Sequence, residues 1–188
     1  MDISLSQRTS LEPLLEALVS VQSHVPDDAM SAGLLGTERT GHGIRLREDG
    51  LIVTIGYVVN EAEEIWITSQ NGRASPAFVV GNDFQSGLAL IKPTIPFPGP
   101  VAEIGDAKTL GIGDAVLAAS SEEGDSQIIE AHVVAKQEFA GRWEYVLDEA
   151  IFTAPPHESW SGAALLDVSG RLCGIGSLVI SGFEVNET

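Results

Sequence analysis

The sequence predicts an all-β protein built from two β units of similar size behind one short N-terminal helix. Three observations predict it. From about residue 33, short apolar runs alternate with Gly, Asn, Asp and Pro clusters, the punctuation of hairpins rather than of long helices. No helical apolar period recurs between the strand candidates, so the crossover helices of a parallel sheet are missing. Pro93, Pro96, Pro98 and Pro100 crowd a stretch that neither a helix nor a central strand tolerates. Paired barrels or a sandwich meet these conditions. The expected division is a helical segment over 1–30, a first β unit over 31–95 and a second over 96–188.

The elements follow in order. Leu11, Leu14, Leu15 and Leu18 make one stripe at helical spacing, which predicts a helix over 10–21. Ser10 suits its N-cap, and Pro13 falls in the first turn. Val25-Pro26-Asp27-Asp28 reads as a turn. Gly41-His42-Gly43 reads as a glycine-flanked turn. Ile44–Arg47 and Leu51–Ile55 form a hairpin across Glu48-Asp49-Gly50. Glu64–Thr68 and Ala74–Val80 pair across Asn71-Gly72, the strongest hairpin signal in the chain. Leu88–Ile91 closes the first unit. Strand candidates in the second are Ala115–Ala119, Gln127–Lys136, Trp143–Leu147, Ile151–Ala154, Ala163–Asp167 and Arg171–Ile180, with a turn at Val168-Ser169-Gly170.

Composition excludes several function classes. Hydrophobic residues are 44% and charged residues 20% of the 188, enough to bury a core. Ten Lys and Arg face 27 Asp and Glu, a formal net charge of -17. That field repels polyanions and anionic lipid, so neither nucleic acid nor membrane is an expected partner. Cys173 is the one cysteine; it excludes an internal disulfide and reads as a buried, inert thiol. The N-terminus lacks a basic region followed by a continuous apolar run, so a cytoplasmic location is expected, or a periplasmic one had the chain been trimmed. No HExxH helix or cysteine pair is present, and Glu122-Glu123-Gly124-Asp125 lacks the spacing of a calcium loop. No metal or cofactor is expected.

The order of several segments resembles the trypsin-fold serine peptidases of the HtrA/Deg type. Gly41-His42-Gly43-Ile44 followed by Glu48-Asp49-Gly50-Leu51-Ile52-Val53-Thr54 is similar to their opening hairpin. Val58-Val59, Asn71-Gly72-Arg73, Gly81-Asn82-Asp83 and Leu88-Ala89-Leu90 continue the register. In the second half, Gly105-Asp106, Leu110-Gly111-Ile112-Gly113-Asp114, Ser161-Gly162-Ala163-Ala164-Leu165-Leu166 and Gly170-Arg171-Leu172-Cys173-Gly174-Ile175 match. The resemblance spans roughly 36–180. It implies a trypsin-like double β-barrel of two perpendicular barrels, about six strands each, with the active site between them.

That family's chemistry needs a serine, a histidine that takes its proton, and an aspartate that orients the histidine. On the resemblance, the nucleophile position is Ser161. The histidine position, just before Val58-Val59, is Tyr57. The aspartate position, just before Leu88-Ala89-Leu90, is Gly87. A phenol titrates near ~10 and is a poor proton acceptor at neutral pH. Loss of a triad member removes about 10⁴- to 10⁶-fold in rate. The oxyanion loop reads Ser159-Trp160-Ser161, with Ser159 where the family carries glycine, which disfavours the productive loop shape. Trp160 is expected to fill part of the cleft.

The expected function is a proteolytically inactive peptidase-like domain, a pseudoprotease that binds a protein or an extended peptide by strand addition. The alternative is an active hydrolase in which Ser161 uses an unrecognised base. His157, on the same loop, is the nearest candidate in sequence; His24, His42 and His132 read as structural. A third reading is an assembly subunit using the leucine stripe of residues 11–18. Phe139-Ala140-Gly141-Arg142-Trp143-Glu144-Tyr145 reads as a hairpin with alternate aromatics in the core, or as an interaction patch. The resemblance implies one more strand and a helix after Phe183-Glu184-Val185. The chain is therefore expected to be incomplete or to take its last strand from a partner, and a homo-oligomer is expected as one outcome.

Overall fold

A computed structural model describes residues 11–95, 98–122, 125–141 and 146–180. Six strands close into a barrel: β1 (Leu18–His24), β2 (Glu38–Arg45), β3 (Ile52–Ile55), β4 (Glu64–Ser69), β5 (Ala74–Asp83) and β6 (Leu88–Pro93), in the order β1-β2-β3-β6-β5-β4. A second sheet holds β7 (Ala115–Glu122), β8 (Asp125–Ala140), β9 (Val146–Ala154), β10 (Ala164–Leu166) and β11 (Leu172–Ile175), in the order β11-β10-β7-β8-β9. The all-β class is the one that the sequence predicts. The second unit is an open five-stranded sheet among the described residues, where the resemblance implied about six strands.

The N-terminal segment is the largest departure. Within the described part of residues 10–21, helix is confined to 11–15, and the chain enters β1 at Leu18. Val19-Ser20-Val21-Gln22-Ser23 alternates with period two, and Val19, Val21 and Ser23 point inward. β-branched valines on a half-buried face favour a strand. β1 pairs β2 on one side and β4 on the other, so the segment expected to be helical supplies the strand that closes the barrel. Leu18 belongs to the helical stripe by spacing but is buried as a strand residue.

Further strand limits move for local reasons. Gly41-His42-Gly43 lies inside β2, not in a turn. A Cβ on Gly43 would sit 2.7 Å from the Ile52 side chain and 2.9 Å from the Val53 carbonyl oxygen, so glycine permits close strand approach. Trp143–Leu147 and Ile151–Ala154 fall on one strand where described, β9, which pairs β8 across two register shifts. Phe139 packs edge-on against Phe152, centroids 6.0 Å apart; Arg142 to Tyr145 lie outside the described residues. β11 ends at Ile175 rather than Ile180. There Gly176 bonds Ala163, and a Cβ on it would meet the Trp160 carbonyl oxygen at 2.4 Å. Cys173 is half-buried rather than fully buried, and burial raises its thiol pKa.

Three apolar clusters fill the interior among the described residues, and two of them bear on the site. One fills the barrel, with Val19, Val21, Ile52, Ile67 and Ile91 among its members. The other crosses between the units: Leu18, Ile44 and Val53 from the barrel pack with Ala119, Ala164 and Leu166 from the open sheet. The seam formed by this shared cluster positions the loops described next.

Candidate functional site

Ser161 sits on the loop between β9 and β10, and backbone contacts fix it. Its carbonyl oxygen accepts from the His42 N–H at 2.8 Å, and Gly162 N–H donates to Gly176 at 2.9 Å. The loop is thus stapled to β2 on one side and to the end of β11 on the other. Gly41 makes room for it. A Cβ there would lie 2.9 Å from the Ser161 carbonyl oxygen and 3.1 Å from Oγ.

Tyr57 rides on the one-turn helix Gly56–Val59, directly after β3. The Arg39 guanidinium, 5% exposed, donates to the Tyr57 carbonyl at 2.8 Å and to the Asn60 carbonyl at 3.1 Å. These bonds hold the end of the turn. The phenol oxygen lies 2.9 Å from Ser161 Oγ and 2.7 Å from the Ser177 carbonyl oxygen. A carbonyl only accepts, and a phenol carries one proton. That proton therefore points to Ser177, and the Ser161 hydroxyl donates to the phenol oxygen. The bonds run from Ser161 to Tyr57 to Ser177, ending on an atom that cannot take up a proton.

Gly87 stands in a tight turn at φ +75. Its N–H donates to the Asp83 carbonyl at 2.8 Å, and its own carbonyl accepts from Gly56 at 2.7 Å. The left-handed conformation suits glycine. The position supports Tyr57's helix through the backbone and offers no side chain to orient anything.

The loop Ser159-Trp160-Ser161 is closed upon itself. Ser159 N–H donates to His157 Nδ1 at 3.0 Å, so that amide already has an acceptor. The Ser159 hydroxyl donates to the Glu122 carboxylate at the end of β7. Trp160 tilts against Tyr57, ring centroids 6.3 Å apart. It does not close the cleft: a groove of about 580 Å³ remains, lined by Trp160, Phe152, Leu165, Ile175, Ser177 and Val179 among others.

Among the described residues no histidine bonds the Ser161 hydroxyl. His157 is buried, with Nδ1 accepting from Ser159 and Nε2 3.5 Å from Ser120 Oγ. His42 is buried and donates from Nδ1 to the Ser121 carbonyl at 2.8 Å. Among the described residues neither ring bonds the Ser161 hydroxyl. His24 pairs with Glu38 at the surface, and His132 is exposed on β8. Ser161 and Tyr57, both singled out in the sequence, meet in the structure. Sequence reasoning missed the Ser177 carbonyl, the capture of Ser159 by His157 and the contact to Glu122, for which no local motif exists.

Burial pushes His42 and His157 below their ordinary 6.5, with backbone acceptors and Glu122 pulling partly upward. The unfolded chain binds these protons near ~6.5. Between the folded and unfolded values the unfolded state holds more protons, so stability is full above about pH 6.5 and falls as pH drops below it. His24, raised by Glu38, acts in the opposite sense but is fully exposed and screened by salt. The melting temperature is expected to fall between pH 7.5 and pH 5.5, and less so in a His42→Gln/His157→Gln variant. A flat profile in the parent chain would contradict this.

Comparison with known proteins gives this geometry a context. The family model for the trypsin-like peptidase domain matches residues 41–175. Serine endoprotease DegS of Salmonella typhimurium is 29% identical over 153 residues, covering 79% of this chain and 42% of the relative. Periplasmic pH-dependent serine endoprotease DegQ of Escherichia coli is 30% identical over 146 residues, covering 77% of this chain and 32% of the relative. The chain thus spans less than half the length of these relatives. The HtrA-type protease AlgW, solved with a tripeptide, superposes with a TM-score of 0.73 at 20% identity over 90% of this chain and 53% of that one. The fold is the trypsin-like double barrel.

Proposed function

We propose that this chain, which belongs to the trypsin-like peptidase domain family, is proteolytically silent at Ser161 and acts by holding an extended peptide or protein segment. One observation carries the reading. The Ser161 hydroxyl donates to a phenol whose own proton is held by the Ser177 carbonyl. Acyl transfer requires that the serine proton leave to a base as the bond to carbon forms. A neutral phenol, with its pKa near ~10, is a poor acceptor, and its conjugate acid is far too strong to form at neutral pH. The second requirement, an N–H aimed at the developing oxyanion, is opposed by the bond from Ser159 to His157.

Binding needs neither feature. Backbone pairing holds an extended peptide without a triad. The groove beside Trp160 offers apolar walls, and β9 ends its sheet with one side unpaired among the described residues. A relative solved with a tripeptide supports the same use of the fold.

The test combines a fluorophosphonate probe with unfolded, carboxymethylated casein. Ser161→Ala is expected to leave labelling unchanged at background. Casein is expected to remain uncut on prolonged incubation while binding saturably. Labelling that disappears with the Ser161 hydroxyl would show that a base is present after all, and absence of any casein binding would remove the binding role.

A further inference from the structure

A second pocket, of about 400 Å³, opens on the barrel between the helix Ala32–Leu35 and the turn joining β5 to β6. Its volume lies within the range of small-ligand pockets. Three of its apolar side chains stand in solvent: Met30 at 96%, Leu34 at 68% and Phe84 at 69% exposure. Single exposed apolar residues are ordinary, but three around one cavity mark an interaction site.

Two carboxylates hold these arms apart. Glu61 accepts from the backbone N–H of Met30 at 3.0 Å and of Ser31 at 2.9 Å, and from the Ser31 hydroxyl. It does so from a left-handed backbone at φ +61, a conformation that a non-glycine residue adopts only when its surroundings enforce it. Asp83 accepts from Gln85 N–H at 3.0 Å and from Ser86 Oγ at 2.7 Å, which shapes the turn that presents Phe84. These bonds keep both carboxyls below their usual range, so the rim is anionic at neutral pH. Asp27, Asp28, Glu63 and Glu64 flank the same segments in sequence. The nearest cation, Arg39, is buried and occupied by the carbonyls of Gly36, Tyr57 and Asn60 and by Ser31 Oγ.

We propose that this pocket docks a protein segment in which apolar side chains alternate with lysine or arginine. The apolar side chains fill the space between Met30, Leu34 and Phe84, and the cations meet Glu61 and Asp83. Charge decides among occupants: a second copy of this chain carries -17 and is repelled, as is an anionic lipid surface or nucleic acid. The pocket shares Tyr57 with the serine site, but docking there does not depend on whether Ser161 reacts.

The chain holds two methionines, Met1 and Met30, so methyl-¹³C methionine labelling gives one signal from the pocket. The probes are three acetylated, amidated pentapeptides: Lys-Leu-Lys-Phe-Lys, Glu-Leu-Glu-Phe-Glu and Lys-Ser-Lys-Ser-Lys. The Met30 signal is expected to shift saturably with the first and to bind the other two at least about tenfold more weakly. Raising the salt concentration is expected to weaken the first. Leu34→Ser/Phe84→Ser, at two exposed sites, is expected to weaken it by about tenfold or more with an unchanged circular dichroism spectrum. Absence of a saturable Met30 shift, equal binding of the acidic or the serine peptide, salt-insensitive binding, or full affinity in a folded variant would each overturn the docking site.

Discussion

Gly162→Ala is expected to destabilise the chain by about 4 kcal/mol or more, the range reserved for a backbone that cannot accommodate the change. A Cβ at Gly162 would lie 2.1 Å from the His42 carbonyl oxygen and 3.0 Å from its carbonyl carbon. Those atoms belong to β2, a strand paired on both sides, and cannot step aside as a side chain would. The same residue sits at φ +80, where an L side chain adds its own penalty. Relief would require the loop to withdraw from β2, breaking the bond from His42 N–H to the Ser161 carbonyl. That bond joins the two β units. Gly72→Ala is the control: φ is +75, but nothing lies within 4 Å of the added carbon. Its expected cost is only the conformational penalty of about 1–2 kcal/mol. Urea denaturation with a common slope measures both. Equal losses at the two sites would show that the contact with His42 is not as tight as described.

On the proposed reading, Tyr57→His is expected not to create a protease, although it places an imidazole beside Ser161. Three obstacles remain. Gly87 provides no carboxylate to fix the ring's tautomer, and in triads the wrong tautomer alone costs about 10⁴-fold. The Ser159 amide stays on His157, and an absent oxyanion donor costs about 10²–10³-fold. Placing aspartate at position 87 is itself unfavourable, because the turn needs φ +75 there. Peptidase activity of the single variant on casein is therefore expected to match that of Ser161→Ala. Adding Gly87→Asp and Ser159→Gly is expected to give the first Ser161-dependent turnover. Substantial activity from Tyr57→His alone would mean that the loop reorganises freely and that His157 does not hold it.

Much of this was legible in the sequence, for reasons tied to particular residues. Asn71-Gly72 marks its hairpin because few dipeptides suit that turn, and β4 and β5 pair across it. Leu88-Ala89-Leu90 and Ser161-Gly162 carry the register of the site because their neighbours are fixed along the chain. β1 was misread because leucines spaced for a helix run directly into valines spaced for a strand, and only pairing with β2 and β4 decides between them. The bond from Tyr57 to Ser177 spans 120 residues, and that from Ser159 to Glu122 spans 37. Such contacts depend on how the two units meet, which no local spacing encodes.

The Tyr57 phenol also ties Gly56–Val59 to both Ser161 and Ser177. Removing it gives up two hydrogen bonds at the seam before any catalytic gain exists to offset the loss. On the function proposed above, a lineage moving one substitution at a time toward hydrolysis would first pass through a weaker molecule. On that reading the tyrosine acts as a ratchet, because its own replacement is the costly step.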